Sequence, residues 1–355
     1  MEEVIQQLCR ATTKLGLNNR VVCISDQRKK KEIIETQDAT VYCYPMTFEV
    51  ASCGFSWPLW REFKYLSEWA DVVHYQFPWP FADILALSRQ RSAKPYVVTY
   101  QSDIVRQNKL NTLYRPLMNK FLANAASVVA TSPKYMSSSS VLNNLKQPTV
   151  FIPNGIDKEL NQTAFQNERK EYEAVYGKGF FLFLGVFRYY KGLYYLLEAA
   201  KQTGLVVIIA GDGPEAGLLH RFVQQNDLSN VHFVGHVSDE QKYALIDLSK
   251  ALILPSSERS EAYGMVLLEA ARQGKAMIST ELESGTSYIN VHNETGLVVS
   301  AKNATALADA MQYMMENDDK VHKMSISAKK RFDDHFNSEI MGKRYAELYY
   351  SLLPI

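Results

Sequence analysis

The sequence predicts an α/β protein of two parallel-sheet domains facing a cleft, and three observations carry that expectation. The chain has 355 residues, more than one hydrophobic core usually organises. Short β-branched or aromatic runs alternate with longer amphipathic segments, the order that gives parallel strands with helical crossovers. One set of these runs precedes a polar, charged stretch at 161–178 and a second set follows it.

The chain opens on Met1-Glu-Glu-Val-Ile-Gln-Gln-Leu8, which reads as a helix. Strands are expected next at Val21–Ile24, Val41–Tyr44, Val72–Gln76, Tyr96–Tyr100, Val128–Thr131 and Val150–Ile152. Each is a brief apolar run, as a strand buried on both faces requires. Pro153-Asn-Gly-Ile-Asp157 is a turn where a hinge would sit. The second set is expected at Phe180–Val186, Val206–Ala210, Val231–Val234, Ala251–Leu254, Ala276–Ser279 and Leu297–Val299. The resulting division is a first domain at 1–160, an interdomain segment at 161–178 and a second domain at 179–337. A last amphipathic segment, 338–355, has no strand after it and is available to cross back and cap the first domain. Ser137–Ser140 reads as a loop or helix edge, and no fixed-period repeat is present.

Composition bounds the partners. The chain is 46% hydrophobic and 22% charged, with a formal net charge of only +1. That is ordinary for a soluble protein and supplies no global field to recruit nucleic acid or membrane. Cys9, Cys23, Cys43 and Cys53 have no Cys-x-x-Cys spacing and read as buried free thiols of a reducing compartment. No apolar run reaches membrane-spanning length and no signal-peptide order opens the chain, so a cytoplasmic location is expected. Charge is uneven, however. No acid stands between Asp103 and Asp157, while Arg106, Lys109, Arg115, Lys120, Lys134 and Lys146 are basic. Within that stretch Leu110, Leu113, Tyr114, Leu117, Phe121 and Leu122 recur at helical spacing. One reading is a packed helix with a solvated basic side. The other is a surface that docks on anionic lipid headgroups at the inner face of the cytoplasmic membrane.

The residues richest in chemistry are Glu258-Arg-Ser-Glu-Ala-Tyr-Gly-Met-Val-Leu-Leu-Glu269. Here a loop runs into a helix, with Ala262, Tyr263 and Gly264 at the helix start, where unpaired N–H groups attract anions. At about 1.5 Å per helical residue, Glu269 is projected ~12 Å along the axis from Glu261. One carboxylate can then face a sugar and the other a ribose, with a diphosphate at the amides between: a nucleotide-sugar site in outline. Val186-Phe-Arg-Tyr-Tyr-Lys-Gly192 places Arg188 and Lys191 at a strand-to-helix turn. Such cations suit a diphosphate leaving group, and a solvated turn with two stray cations is the other reading. Gly211-Asp212-Gly213-Pro-Glu215 permits close approach to a ligand but is also simply a good turn. Val231-His-Phe-Val-Gly-His236 ends where His236 and its glycine can wall a base, though a glycine at a strand end is also common without any ligand. In the first half His74, Gln76, Gln101 and Asp103 stand at strand ends, and His74 reads equally as a hydrogen-bonded core histidine. The clusters Phe77–Phe81 and Trp57–Trp60 are either packing or a sugar-stacking platform.

Taken together these residues resemble the retaining glycosyltransferases of GT-B type and family-4 character, over nearly the whole chain. The strongest element is the Glu-x7-Glu segment with Ser-Glu-Ala-Tyr-Gly, followed by Gly285-Thr-Ser287 and Glu294-Thr-Gly-Leu-Val298. Asn154-Gly-Ile-Asp157, Lys191-Gly192 and Gly211-Asp-Gly-Pro214 fall in the expected order, and Pro78-Trp-Pro-Phe81 and Tyr189-Tyr-Lys-Gly192 are similar to O-antigen and capsule transferases. The resemblance implies two Rossmann-like domains, with Glu261 at the anomeric centre of the donor sugar and Glu269 on the donor ribose. It implies Lys191 and the amides after Glu261 on the diphosphate, joined on the donor side by Arg188, Gly211, Asp212, Gly213 and His236. His74, Gln101 and Asp103 would lie on the acceptor side. It further implies transfer of a hexose, mannose in flavour, with retention and no metal or other cofactor. The expected partners are a nucleotide sugar and a lipid-linked oligosaccharide acceptor; GDP and UDP both stay open, as does the oligomeric state.

Three departures from the family pattern keep a second reading open: a truncated or degenerate homologue that binds nucleotide sugar or a partner transferase with little turnover. The opening strand and its Gly-rich loop are missing ahead of the first helix, which would leave unpaired backbone in mid-sheet. Val186 stands where the family has Arg, with Arg188 shifted by two. Gln101 stands where a His is usual, and an amide cannot act as a general base near neutral pH.

Overall fold

The computed structural model describes residues 2–51, 53–88, 94–104 and 108–354, with the side chains of 108–111 and 162 outside the description. The chain divides into two units, Met1–Ile156 with Ser338–Ile355, and Asp157–Asn337.

The first unit opens on the helix Glu2–Thr13 and then forms β1 (Arg20–Ser25), β2 (Glu32–Glu35), β3 (Thr40–Pro45), β4 (Phe48–Val50) and β5 (Cys53–Phe55). It continues with β6 (Val73–Phe77), β7 (Tyr96–Tyr100), β8 (Ser127–Ala130) and β9 (Thr149–Phe151). Every strand expected here is present. Three more were not expected, because β2 reads Glu-Ile-Ile-Glu with all four side chains exposed and β4 and β5 form a short antiparallel hairpin. The parallel strands run in the order β6-β7-β8-β9, while β1-β3-β2 form a separate sheet with β2 antiparallel. Thus the parallel part of this unit is in two pieces. No residue of β1 is fully buried, whereas all of β8 is.

Two details of this unit bear on the sequence reading. The terminal helix Ser338–Ser351 lies against Glu2–Thr13, and Gly342 makes the approach: a Cβ there would fall 2.4 Å from the Ala11 Cβ. The helix Asn108–Ala123 buries Met118, Phe121 and Leu122, but Leu113 is 81% exposed, so it is not part of the apolar face that the spacing suggests. Arg106 of the basic stretch lies outside the described residues, as do the side chains of Lys109 and Leu110. All four cysteines are free thiols, but only Cys9 and Cys43 are buried; Cys23 and Cys53, on the strands β1 and β5, are half-buried.

On the helix Pro80–Ser88, Asp83 is buried; Tyr114 donates to its Oδ2, while its Oδ1 has no partner among the described residues. Burial pushes the Asp83 carboxyl up to about 7. The folded unit therefore holds a proton there that the unfolded chain loses near the ordinary value of 3.8. Stability from this group is present below pH ~4 and is lost as pH rises to about 7, by on the order of 2–4 kcal/mol. Desolvation holds His74 down to about 4, and it works the other way between pH 4 and 6.5. The expected result is that Asp83→Asn removes the loss between pH 5 and 7.5 in thermal unfolding; an unchanged pH profile would count against a buried, neutral Asp83.

The second unit contains β10 (Phe181–Leu184), β11 (Val207–Ala210), β12 (Val231–Gly235), β13 (Ala251–Leu254), β14 (Met277–Glu281) and β15 (Gly296–Ser300). They form one sheet in the order β12-β11-β10-β13-β14-β15, every pair parallel. This is the doubly wound order, with its reversal between β10 and β13. Phe181 to Leu184, Val207 to Ala210 and Ala251 to Leu254 are buried throughout, which is why they read as unbroken apolar runs. The stretch 161–178, expected to link domains, forms a 3₁₀ turn at Gln162–Phe165 and a helix at Gln166–Tyr176. Both pack on the helix Asp239–Leu248 within the second unit, with Phe165 against Tyr243 and Arg169 bonded to Asp247 at 2.6 Å.

Candidate functional site

The reversal of strand order leaves a crevice at the carboxyl ends of β10 and β13, and the loops leaving those two strands carry the functional side chains. Glycine lets them meet. Gly185, at the end of β10, has φ +146, and a Cβ on Gly211 would fall 2.0 Å from the Gly185 carbonyl oxygen. Gly213 is as crowded, with its would-be Cβ 2.6 Å from the Phe187 nitrogen. The Phe187 amide donates to the Asp212 carbonyl at 2.9 Å, and the Asp212 carboxylate accepts from the Gly213 amide at 2.7 Å. Gly211, Asp212 and Gly213 thus brace the turn after β10.

That turn continues through a short 3₁₀ segment, Tyr189–Lys191, to Gly192 in the left-handed region at φ +68. Across it lies the loop after β13. The Ser257 amide donates to the Tyr190 carbonyl at 2.7 Å, and a Cβ on Gly192 would collide with the Pro255 oxygen at 2.0 Å. So fastened, Lys191 Nζ reaches Glu261 Oε2 at 2.5 Å, and Ser256 Oγ donates to the same oxygen at 3.0 Å. Glu261 is 8% exposed. An ammonium and a carboxylate held from two loops at a switch point form a compact charge pair that a ligand can divide between its own groups.

Beyond Glu261 the chain turns through buried Tyr263 and Gly264 (φ +84) into the helix Met265–Arg272. The Gly285 amide donates to the Ala262 carbonyl at 2.8 Å, which fixes the entry. Because the helix starts only at Met265, the ~12 Å projection for a continuous helix does not apply: the rise from Met265 to Glu269 is about 6 Å. Glu269, 7% exposed, pairs with Lys242 Nζ at 2.5 Å, and Lys242 also meets Asp239 at 2.8 Å. Burial alone would lower the Lys242 pKa, but Glu269 and Asp239 outweigh it and the net shift is upward. His236 follows β12 and is exposed, next to a capping box in which Ser238 and Gln241 bond reciprocally. Val186 is 51% exposed. Arg188 lines a cavity whose described walls include neither Lys191 nor Glu261.

The acceptor-side candidates lie in the first unit. His74 Nε2 is 2.7 Å from Thr99 Oγ1 and its Nδ1 2.7 Å from the Tyr349 hydroxyl, so both ring nitrogens are used within that unit. These are the bonds of a structural histidine, on a side chain that is only half-buried. Gln101 Nε2 donates to Gln76 Oε1 at 2.9 Å, and Asn154 Nδ2 donates to Gln101 Oε1 at 3.2 Å. Asp103 accepts from the Tyr100 hydroxyl at 2.9 Å and from Ser139 Oγ at 2.7 Å. Lys242, Ser256 and Asn154 escaped sequence reasoning. Only Asn154 had a signal, as part of the quoted Asn-Gly-Ile-Asp turn; the other two are ordinary residues whose importance comes from what faces them.

Among the described residues no group of three or more His, Cys, Asp or Glu side chains is placed to hold a metal ion. No described helix is long and apolar enough to cross a membrane.

The pattern of the "Glycosyl transferases group 1" family matches residues 164–331, and that of "Glycosyltransferase Family 4" matches residues 1–160. A D-rhamnosyltransferase of Pseudomonas aeruginosa is 42% identical over 338 residues, covering 95% of this chain and 88% of the relative. An O-antigen chain mannosyltransferase of Escherichia coli is 38% identical over 353 residues, covering 99% of this chain and 94% of the relative. Among solved structures, a sucrose-phosphate synthase of Thermosynechococcus elongatus superposes with a TM-score of 0.80 at 20% identity, over 98% of this chain and 92% of that one. An Anabaena protein, HepE, solved with UDP, superposes with a TM-score of 0.73 at 16% identity, over 94% and 100% of the two chains.

Proposed function

The chain belongs to the group 1 glycosyltransferases, with a family 4 first half and a GT-B-type fold, and on that premise we propose that it transfers a hexose from a nucleotide-diphosphate sugar to a lipid-linked glycan in surface polysaccharide synthesis. The observation that carries the reading is the Lys191–Glu261 pair at the strand-order reversal of the second unit. In this reading the donor diphosphate draws Lys191 to its oxygens and meets the amides at the start of the helix Met265–Arg272. Glu261, released from the lysine, faces the donor sugar. Glu269, oriented by Lys242, accepts from the ribose hydroxyls. Tyr263, Ala262 and Gly264 shape the anion end, Gly211 and Gly213 keep the floor free of side chains, and His236 borders the base.

The chemistry follows from those positions. The bond from the anomeric carbon to the diphosphate oxygen breaks as one to the acceptor hydroxyl oxygen forms on the same face. The acceptor proton passes to the leaving phosphate oxygen, so configuration is retained and no enzyme base is needed. Lys191 stabilises the charge that grows on the leaving group. In this reading no metal or other cofactor takes part. Mannose or D-rhamnose is the favoured sugar, because the two similar transferases are named for those sugars. Gln101 and Asp103 border the acceptor side. Arg115 and Lys120 on the helix Asn108–Ala123 support a position at the inner membrane face, where they would meet anionic headgroups.

The test is binding and turnover of a panel of GDP- and UDP-hexoses, repeated with Lys191→Ala. The expected result is turnover of at least one donor and a ~10–100-fold weaker affinity for the nucleoside diphosphate, with the nucleoside affected less than about twofold. Equal losses for both would rule out the phosphate role of Lys191, and binding without turnover would favour the degenerate homologue.

A further inference from the structure

Between the turn after β10 and the loop after β13 the second unit holds a cavity of about 310 Å³ that the transfer reaction above does not use. Its walls set two cations, Arg188 and Lys302, against two carboxylates, Glu215 and Glu258, with Tyr189 and Tyr194 beside them. Lys302 Nζ stands 3.9 Å from Glu258. The charges balance, so an anion gains little by entering. A neutral polyhydroxy ligand, by contrast, finds acceptors in the carboxylates and donors in the guanidinium and ammonium groups. The volume lies at the lower end of the ~300–1,000 Å³ of small-molecule clefts.

The aromatic component narrows the ligand class. Tyr194 is 54% exposed, yet its ring is held edge-on to Phe222 at 5.3 Å and its hydroxyl donates to Glu198 at 3.1 Å. An exposed aromatic side chain held in place among the lining residues of a polar cavity is what the apolar face of a sugar ring can stack on, while the ring's hydroxyls reach the surrounding charges. The cavity is lined from the same two loops that carry the Lys191–Glu261 pair: Arg188 and Gly192 flank Lys191 in one loop, and Glu258 precedes Glu261 in the other.

We propose that this cavity is a saccharide subsite that holds a neutral hexose unit of the glycan beside the point of transfer. The identity of the ligand rests on the transferase reading; the existence of the site does not. In it Tyr194 stacks on the sugar ring, and Arg188, Glu258 and Lys302 hydrogen-bond its hydroxyls. A growing glycan held there stays attached between additions.

The experiment is titration of α-mannotriose into the full chain without donor, followed by calorimetry or ligand-observed NMR, for the native protein, Tyr194→Ala and Lys302→Met. The expected result is a dissociation constant in the millimolar range that rises about tenfold in Tyr194→Ala and severalfold in Lys302→Met. Nucleotide-diphosphate affinity should stay within about twofold in both variants. No binding at tens of millimolar, or binding indifferent to both substitutions, would overturn the subsite. So would displacement of the trisaccharide by inorganic pyrophosphate, because the cavity would then belong to the diphosphate. If no donor turns over but Tyr194-dependent mannotriose binding persists, the transferase reading fails and the subsite stands.

Discussion

Glu261→Ala is expected to lower turnover by about 10²–10⁴-fold, the range for losing one charged group at the reacting centre. Glu261 is nearly buried, and its partners Lys191 and Ser256 come from two loops that meet only in the folded second unit. Deleting the carboxylate also strands the Lys191 ammonium, which by itself is destabilising. The companion variant Glu261→Gln separates the two effects, because an amide oxygen still accepts from Ser256 and fills the same space. Both variants should lose turnover, with Glu261→Gln melting closer to the native protein. Donor affinity should change much less than the rate, since the diphosphate is held by other groups. Native-like turnover in either variant would remove Glu261 from the proposed mechanism.

Gly192→Ala is expected to destabilise the second unit by roughly 3 kcal/mol or more and to abolish activity with it. Two causes add. The residue sits at φ +68, where a Cβ alone is unfavourable by about 1–2 kcal/mol. The new methyl would also fall 2.0 Å from the Pro255 carbonyl oxygen, so the loops after β10 and β13 must part. Gly204 provides the control, for it has the same φ of +68 but nothing within 4 Å of its would-be Cβ. Gly204→Ala should therefore show only the dihedral part, a drop of a few degrees in the melting temperature, with turnover kept. Equal destabilisation by the two substitutions would mean that the Pro255 contact relaxes freely and that the loops do not depend on it.

Much of the architecture was legible in the sequence because buried parallel strands are unbroken apolar runs, and every expected strand of the second unit is present. The strands that were not legible, β2, β4 and β5, are short and antiparallel, and β2 and β4 are fully exposed. They carry no periodicity because no core face selects one. Helical spacing misled at Leu113, which shares the pattern of Phe121 and Leu122 but faces out. A pattern shows which residues can share a face, whereas burial depends on what packs over it.

The sequence by itself determined the α/β class, the order of the elements and the chemical kinds gathered at the strand ends: Lys191 after β10, the glycines after β11, and Glu261 and Glu269 after β13. These are local properties, set by apolar runs, glycine turns and the short reach from a strand end to the next helix. Only the tertiary structure decided which of them meet. Lys191 and Glu261 stand 70 positions apart and touch because β10 and β13 are neighbours in the sheet. Lys242 faces Glu269 across 27 positions although β12 and β13 are not neighbours in the sheet, with nothing in its own surroundings to announce it. His74 had the residue type of a ligand, yet the return of the terminal helix brought the Tyr349 hydroxyl to its ring across 275 positions and occupied one ring nitrogen. Side-chain pairing at such separations depends on strand order and helix return, which residue spacing along the chain does not encode.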